Sequence, residues 1–315
     1  MDLHSRLANI EKQKTALDKL RPFPPAALAR LRDQMVLEWT YNSNAIEGST
    51  LTLKETALVL QDGITVSGKS LREHLEAVNH RDAIQFLESL VKRKEPFNEA
   101  ALLKLHEIIL KGISDSEAGR YRSLRVRILG APHIPPNPLK VPDLMSGLFA
   151  WYAREKKSQN PVVLAATFHH RLVEIHPFID GNGRSSRLAM NLILMSAGYP
   201  PTVILKVDRR KYYRVLAQAD QGKTEGFVEF VARSVERSLA LYRHSLTPAS
   251  SRDYEKQGYI SLAEAAKGTA HSQAYLSLLA RRGKLPAVKF GRNWMTTNDA
   301  VREYIESNLG AGRAS

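Results

Sequence analysis

At 315 residues and 43% hydrophobic content, the chain can bury one substantial core and a small satellite domain. It has no cysteine, which excludes disulfides, iron–sulfur clusters and Cys-based zinc sites. The net charge of +14 fits polyanionic partners, whether nucleotide, nucleic acid or acidic protein, and no apolar stretch approaches membrane-spanning length. Met1-Asp2-Leu3-His4-Ser5-Arg6 lacks the apolar core of a signal peptide, so a cytoplasmic location without membrane contact is expected. Helical periodicity dominates the chain. A mixed-charge amphipathic helix is predicted over 4–20, stopped by Pro22-Phe23-Pro24-Pro25, and a second over 26–43. Thr52-Leu53-Lys54-Glu55 and Ser70-Leu71-Arg72-Glu73 are capping boxes that open two more. Asn98 can cap a helix running to Lys111, which Gly112 ends. Pro142 and Pro161 sit where first-turn prolines belong, the second opening the helix that stops just before His176. Asp208 is positioned to cap a later helix, and 225–246 closes the main domain.

Residues 120–140 resist a helical reading. Their β-branched residues, Gly130-Ala131-Pro132 and the breaker His133-Ile134-Pro135-Pro136-Asn137-Pro138 predict a short hairpin followed by an extended segment. The segment has five basic and no acidic side chains, which fits either an acidic target surface or simple solvation. Beyond it, Thr247-Pro248-Ala249-Ser250-Ser251 begins a small-residue linker over 247–258.

Function is concentrated in His176-Pro177-Phe178-Ile179-Asp180-Gly181-Asn182-Gly183-Arg184-Ser185-Ser186-Arg187. Within twelve residues stand a proton acceptor, a carboxylate, a glycine-flanked cradle and two arginines, a set suited to a nucleoside polyphosphate. Gly181 and Gly183 permit backbone conformations closed to other residues, so successive N–H groups can converge on phosphate. The segment 184–197 reads as a helix whose positive end faces the same anion. His169, His170, His176 and Asp180 crowd together, but no HExxH-like spacing marks a zinc hydrolase.

The run matches the HPFx(D/E)GNGRxxR signature of the Fic family at every fixed position. The resemblance extends to Tyr121-Arg122 and the proline run before Val141-Pro142, where relatives carry the flap that docks a target segment. It implies a mainly α protein: a Fic-fold helical bundle with a short β-hairpin flap, its core at 51–246. It also implies transfer of AMP from ATP to a Ser, Thr or Tyr hydroxyl of a target protein. His176 is then the general base, largely neutral at cytosolic pH. Asp180 binds Mg²⁺ and can also cap the helix. Gly181, Asn182 and Gly183 hold phosphates through backbone N–H groups and the Asn182 amide. Arg184 takes the β-phosphate region, and Arg187, on the same helix face, the γ-phosphate. Phe178 reads as an apolar anchor for the loop. Tyr212 and Tyr213 match a family pattern that sets a tyrosine near adenine, although either also fits a core aromatic.

Upstream, Ser43-Asn44-Ala45-Ile46-Glu47-Gly48 matches the family's inhibitory (S/T)xxxE(G/N) motif, within an N-terminal helical region at 1–50. Glu47 would pair with Arg187, and an arginine paired bidentately to carboxylate cannot also take a γ-phosphate. ATP would then bind with its α-phosphorus out of line for attack. The bland alternative makes Glu47 a solvated charge at a helix end, with Gly48 the residue after it.

Residues 259–315 form a separate unit: a short helix capped by Ser261, a turn, a helix over 273–282, a hairpin-like 287–295 and a helix from Asp299. Leu262-Ala263-Glu264-Ala265-Ala266, the run 279–287 and Phe290-Gly291-Arg292-Asn293-Trp294 resemble a small winged helix-turn-helix of the excisionase/MerR type. Gln273 and the basic residues Arg281, Arg282, Lys284 and Arg292 are the candidate contacts to DNA or to a docked protein. A second copy of the chain is another open partner. Two further readings keep the fold: a DNA-binding regulator whose catalytic core serves as a sensor, or chemistry directed to AMP removal or to another nucleotide or phosphate group.

Overall fold

The computed structural model describes residues 2–23, 25–128, 133–246, 259–290 and 293–309. The linker at 247–258, Arg292 and the expected hairpin tip at 129–132 lie outside the described residues.

Local signals set most helix ends. α1 (Leu3–Asp18) is capped by Asp2, whose carboxylate accepts from the Ser5 amide. α2 (Pro25–Glu47) runs past residue 43, and glycine stops it. Gly48 N–H donates to Ala45 O and Ser49 N–H to Asn44 O, with Gly48 at φ 111°, so the left-handed end puts Glu47 in the last turn. α3 (Leu53–Ala57) and α4 (Leu71–Arg93) open with complete capping boxes. α5 (Glu99–Leu110) is capped by Asn98 and followed by Gly112 at φ 69°. α6 (Val141–Glu155) and α7 (Pro161–Ile175) each carry proline in the first turn. α8 (Asn182–Ser196), α9 (Arg209–Ala219) and α10 (Glu225–Leu246) complete the helices of this part. Asp208 does stand before α9 but makes no capping bond; its carboxylate lies 3.5 Å from Arg237 Nη1 instead.

Met1–Arg21 and Leu28–Ala240 make one compact unit, so the residues before position 50 largely pack within it. Its centre is α8, enclosed by α7, α4 and α5, with every residue from 184 to 194 buried. A helix buried all round is ordinarily apolar. Here some of its polar groups find main-chain partners: Ser186 Oγ donates to Asn182 O at 2.7 Å, and the Asn191 amide bridges Arg187 O and Thr202 O at 3.0 and 2.9 Å. α1 is tied to α10 through Arg6, which pairs with Glu229 and Glu236. Residues 120–128 and 133–137 have no regular secondary structure and bend at 123–124, so the expected hairpin is not seen among the described residues.

Pro22–Ala27 and Leu241–Ser315 make the second unit. Its elements are β1 (Tyr259–Ser261), α11 (Leu262–Lys267), α12 (Gln273–Arg281), β2 (Ala287–Phe290), β3 (Asn293–Thr297) and α13 (Asn298–Leu309). β3 lies between β1 and β2, antiparallel to both, with Tyr259 opposite Thr297 and Val288 opposite Met295. Leu262, Ala265, Leu276, Leu279, Leu285 and Val301 form its own small core. β1 escaped the sequence reading because three residues are too few to show alternation. Among the described residues, no helix is long and apolar enough to cross a membrane.

Candidate active site

Pro177 ends α7, because a residue before proline is driven out of the right-handed helical region. His176 accordingly takes the left-handed conformation, φ 49° and ψ 59°, at the helix end. The loop then folds on itself. Phe178 is fully buried and stacks on His106, ring centroids 3.6 Å apart. The Asn182 side chain closes the loop by accepting from Phe178 N–H at 3.0 Å and donating to Phe178 O at 2.9 Å. This corrects the sequence reading: the Asn182 amide is committed to the loop, which leaves only its main-chain N–H for an anion.

Gly181 has φ 78°, and a Cβ there would meet the His106 ring at 3.4 Å. Gly183 differs from expectation. Its backbone is ordinary helix, and space explains the glycine: a Cβ would stand 2.2 Å from Glu47 Oε1. No side chain caps α8, although the Asp180 carboxylate accepts from Gly181 N–H just ahead of it. Asp180 is not the cap; it lies beside Gly181 and pairs with two arginines.

Those arginines belong to a charge ring. Arg184 is 2% exposed, its Nη2 3.2 Å from Asp180 Oδ1 and its Nη1 3.3 Å from Glu76 Oε1. Arg184 Nε has no hydrogen-bond partner in the protein, which is costly for a buried cation and leaves donor capacity for an anion. Arg72 pairs with Asp180 and with Glu76. Arg187, also 2% exposed, has its Nη1 2.7 Å from Glu47 Oε1. Its Nε donates to Ser43 Oγ at 3.0 Å and its Nη2 to Ser43 O at 2.9 Å. The expected bidentate grip on Glu47 is therefore absent; the guanidinium divides between Glu47 and Ser43.

His176 Nδ1 lies 3.3 Å from Val173 O. A carbonyl only accepts, so Nδ1 carries the hydrogen and Nε2 is left with a free lone pair. Burial, with Arg122 adding to it, lowers the imidazole pKa to about 4, so the ring is neutral at physiological pH. Two residues to which the sequence assigned no role in the signature loop hold it in place. His106 Nδ1 accepts from Gly119 N–H at 3.0 Å, so its Nε2–H donates to Asp180 O, also at 3.0 Å. Arg122, counted in the sequence with the exposed basic flap, is 2% exposed. Tyr212 is buried with its hydroxyl 3.0 Å from His169 Nε2, whereas Tyr213 is 39% exposed and lies under the Arg209 guanidinium. In the second unit Gln273, Arg281, Arg282 and Lys284 are exposed.

A neutral imidazole, an uncapped helix N-terminus and two buried guanidiniums define a centre for chemistry on a phosphorylated anion. The Fic/DOC family model matches residues 96–194, which contain all of these except the guanidinium partners on α2 and α4. Protein adenylyltransferase Fic of Drosophila willistoni is 38% identical over 238 residues, 75% of this chain and 47% of that protein. The chain spans about half the length of the curated relatives it matches. A Fic domain-containing signaling protein from Bacteroides thetaiotaomicron superposes with a TM-score of 0.72 at 32% identity, over 77% of this chain and 98% of that one. A Fic family protein from Desulfovibrio desulfuricans gives a TM-score of 0.63 at 27% identity, over 93% and 95%. The chain belongs to the Fic/DOC family.

Proposed function

We propose that the chain is an ATP-dependent protein adenylyltransferase, restrained by Glu47. One observation carries this reading: the bare Nε2 of His176 is held next to an uncapped helix start that bears Arg184 and Arg187. The name shared by the curated relatives agrees with it. His176 Nε2 takes the proton of a Ser, Thr or Tyr hydroxyl on the target protein. The hydroxyl oxygen bonds to the α-phosphorus as the bond to the β-phosphate oxygen breaks, and pyrophosphate leaves. Main-chain N–H groups of Asn182 and Gly183 with Arg184 bind the phosphates, and Arg187 takes the terminal one; Gly181 N–H already donates to Asp180 Oδ1, so Gly181 contributes its left-handed turn. The exposed ring of Tyr213 is the better platform for adenine, while Tyr212 supports the site from within. Asp180 suits Mg²⁺, offering one partly exposed hard oxygen donor. When bound, the cation offsets phosphate charge.

Glu47 sits over Gly183 and on Arg187, whose guanidinium Ser43 also holds, and Gly48 ends the helix just after it; Glu47 would compete with an ATP γ-phosphate for that arginine. Glu47→Gly should raise self-labelling by α-labelled ATP, and adding His176→Ala should abolish it. Label from γ-labelled ATP instead would mean phosphorylation. Equal labelling of wild type and Glu47→Gly would remove the brake.

For the second unit we propose contact with DNA. Gln273 lies on the exposed side of α12, and Arg281, Arg282 and Lys284 are exposed around its end with no acidic residue among them.

A further inference from the structure

We propose that Arg122 is a positioning residue that locks the general base and the target-docking segment into one unit. The inference rests on the adenylyltransferase reading. Arg122 is buried, and the partners of its guanidinium are all main-chain carbonyls. Nε donates to His176 O at 2.8 Å, Nη1 to Leu124 O at 3.0 Å and Nη2 to Pro136 O at 2.6 Å. Its own main-chain N–H donates to Pro177 O at 2.9 Å. One residue thus holds the carbonyls on both sides of the His176–Pro177 bond and one carbonyl from each limb of the segment expected to dock the target.

What it holds is strained. His176 adopts φ 49°, a conformation that a non-glycine residue keeps only when its surroundings impose it. The same conformation aims Nδ1 at Val173 O, and that bond leaves Nε2 as the proton acceptor. The docking segment has a second tether, His133 Nε2 on Glu174 O at 2.8 Å. The segment and the base therefore share their anchorage. Five donors in a fixed fork allow this, and lysine cannot reproduce it. Because Arg122 touches neither the arginines nor the glycines of the phosphate cradle, its work is separable from nucleotide binding.

The test uses full-length Glu47→Gly protein as parent, with Arg122→Met and Arg122→Lys added singly. Self-labelling is followed against the concentration of α-labelled ATP. The maximal rate should fall about 100-fold in Arg122→Met, the scale of a ~1 Å misplacement of reacting groups, with half-saturating ATP unchanged. Arg122→Lys should not restore it, whereas free guanidinium ion should restore part. In parallel, ¹⁵N spectra of the imidazole should show the Nδ1–H form for His176 in the parent and a tautomer mixture in Arg122→Met. A parent that takes no label defeats the adenylyltransferase reading, and the imidazole spectra still decide on Arg122. Maximal rates within about twofold of the parent, half-saturation shifting in step with rate, or an unchanged tautomer would each overturn the proposal.

Discussion

Burial is the main reason the His176 imidazole stays neutral; the positive charge of Arg122 acts in the same direction, while the Val173 carbonyl and Glu47 oppose them. A base is lost when it protonates, so activity falls as pH drops through its pKa. With that pKa lowered to about 4, kcat/KM for ATP, which reports the free enzyme, should stay level as pH is lowered from 8 to about 5.5. Removing Glu47 takes away one influence that raises the pKa, so the Glu47→Gly protein should behave the same way. An acid limb near 6.5, the value of an unperturbed histidine, would show that the ring titrates in water and that burial does not set its basicity. The His106 ring behaves alike: burial brings its pKa to about 4, so it keeps a single ring proton for Asp180 O across the working range.

At the scale of elements, the brake is a property of how α2 ends. Gly48 at φ 111° lets Gly48 and Ser49 turn back onto Ala45 and Asn44, and this ending delivers Glu47 to Arg187. A Cβ at Gly48 meets nothing within 4 Å, so Gly48→Ala acts through backbone strain and not through a clash. Such strain costs about 1–3 kcal/mol, and each ~1.4 kcal/mol shifts an equilibrium tenfold. Self-labelling of Gly48→Ala should therefore exceed wild type by about tenfold, short of Glu47→Gly. A rate equal to wild type would mean that the last turn of α2 holds Glu47 without help from Gly48. The helices after α2 mark where sequence reading works. Capping boxes at Thr52 and Ser70, the cap at Asn98 and the prolines at Pro142 and Pro161 act within three or four residues, so their signals are local. The signature loop is legible for that reason too. Arg122 on His176 and His106 on Asp180 join residues 54 and 74 apart, and nothing near either one announces the contact. Gly183 misled for a related cause: its glycine answers to Glu47, from another helix, and not to its own φ.

For the whole molecule, the second unit has to be argued on its own charges. It closes a core around Leu262, Leu276, Leu279, Leu285 and Val301, with Trp294 and Tyr304 packed against it, so its fold does not depend on the nucleotide site. Its candidate contacts are long basic side chains at the end of α12, and such groups bind DNA mainly by displacing counter-ions. If Arg281, Arg282 and Lys284 each contact one phosphate, the slope of log K against log salt carries about −0.9 from each. Changing all three to glutamine in the full chain should flatten that slope by about three and weaken binding to every sequence alike. Gln273→Ala tests the opposite property, since an amide can read a base edge while a lysine on phosphate cannot. It should leave the salt slope untouched and reduce discrimination between duplexes. A salt slope that survives the triple change would place the DNA contact elsewhere on this basic chain, and no gel shift at about 50 mM salt would leave α12 as a protein-docking face.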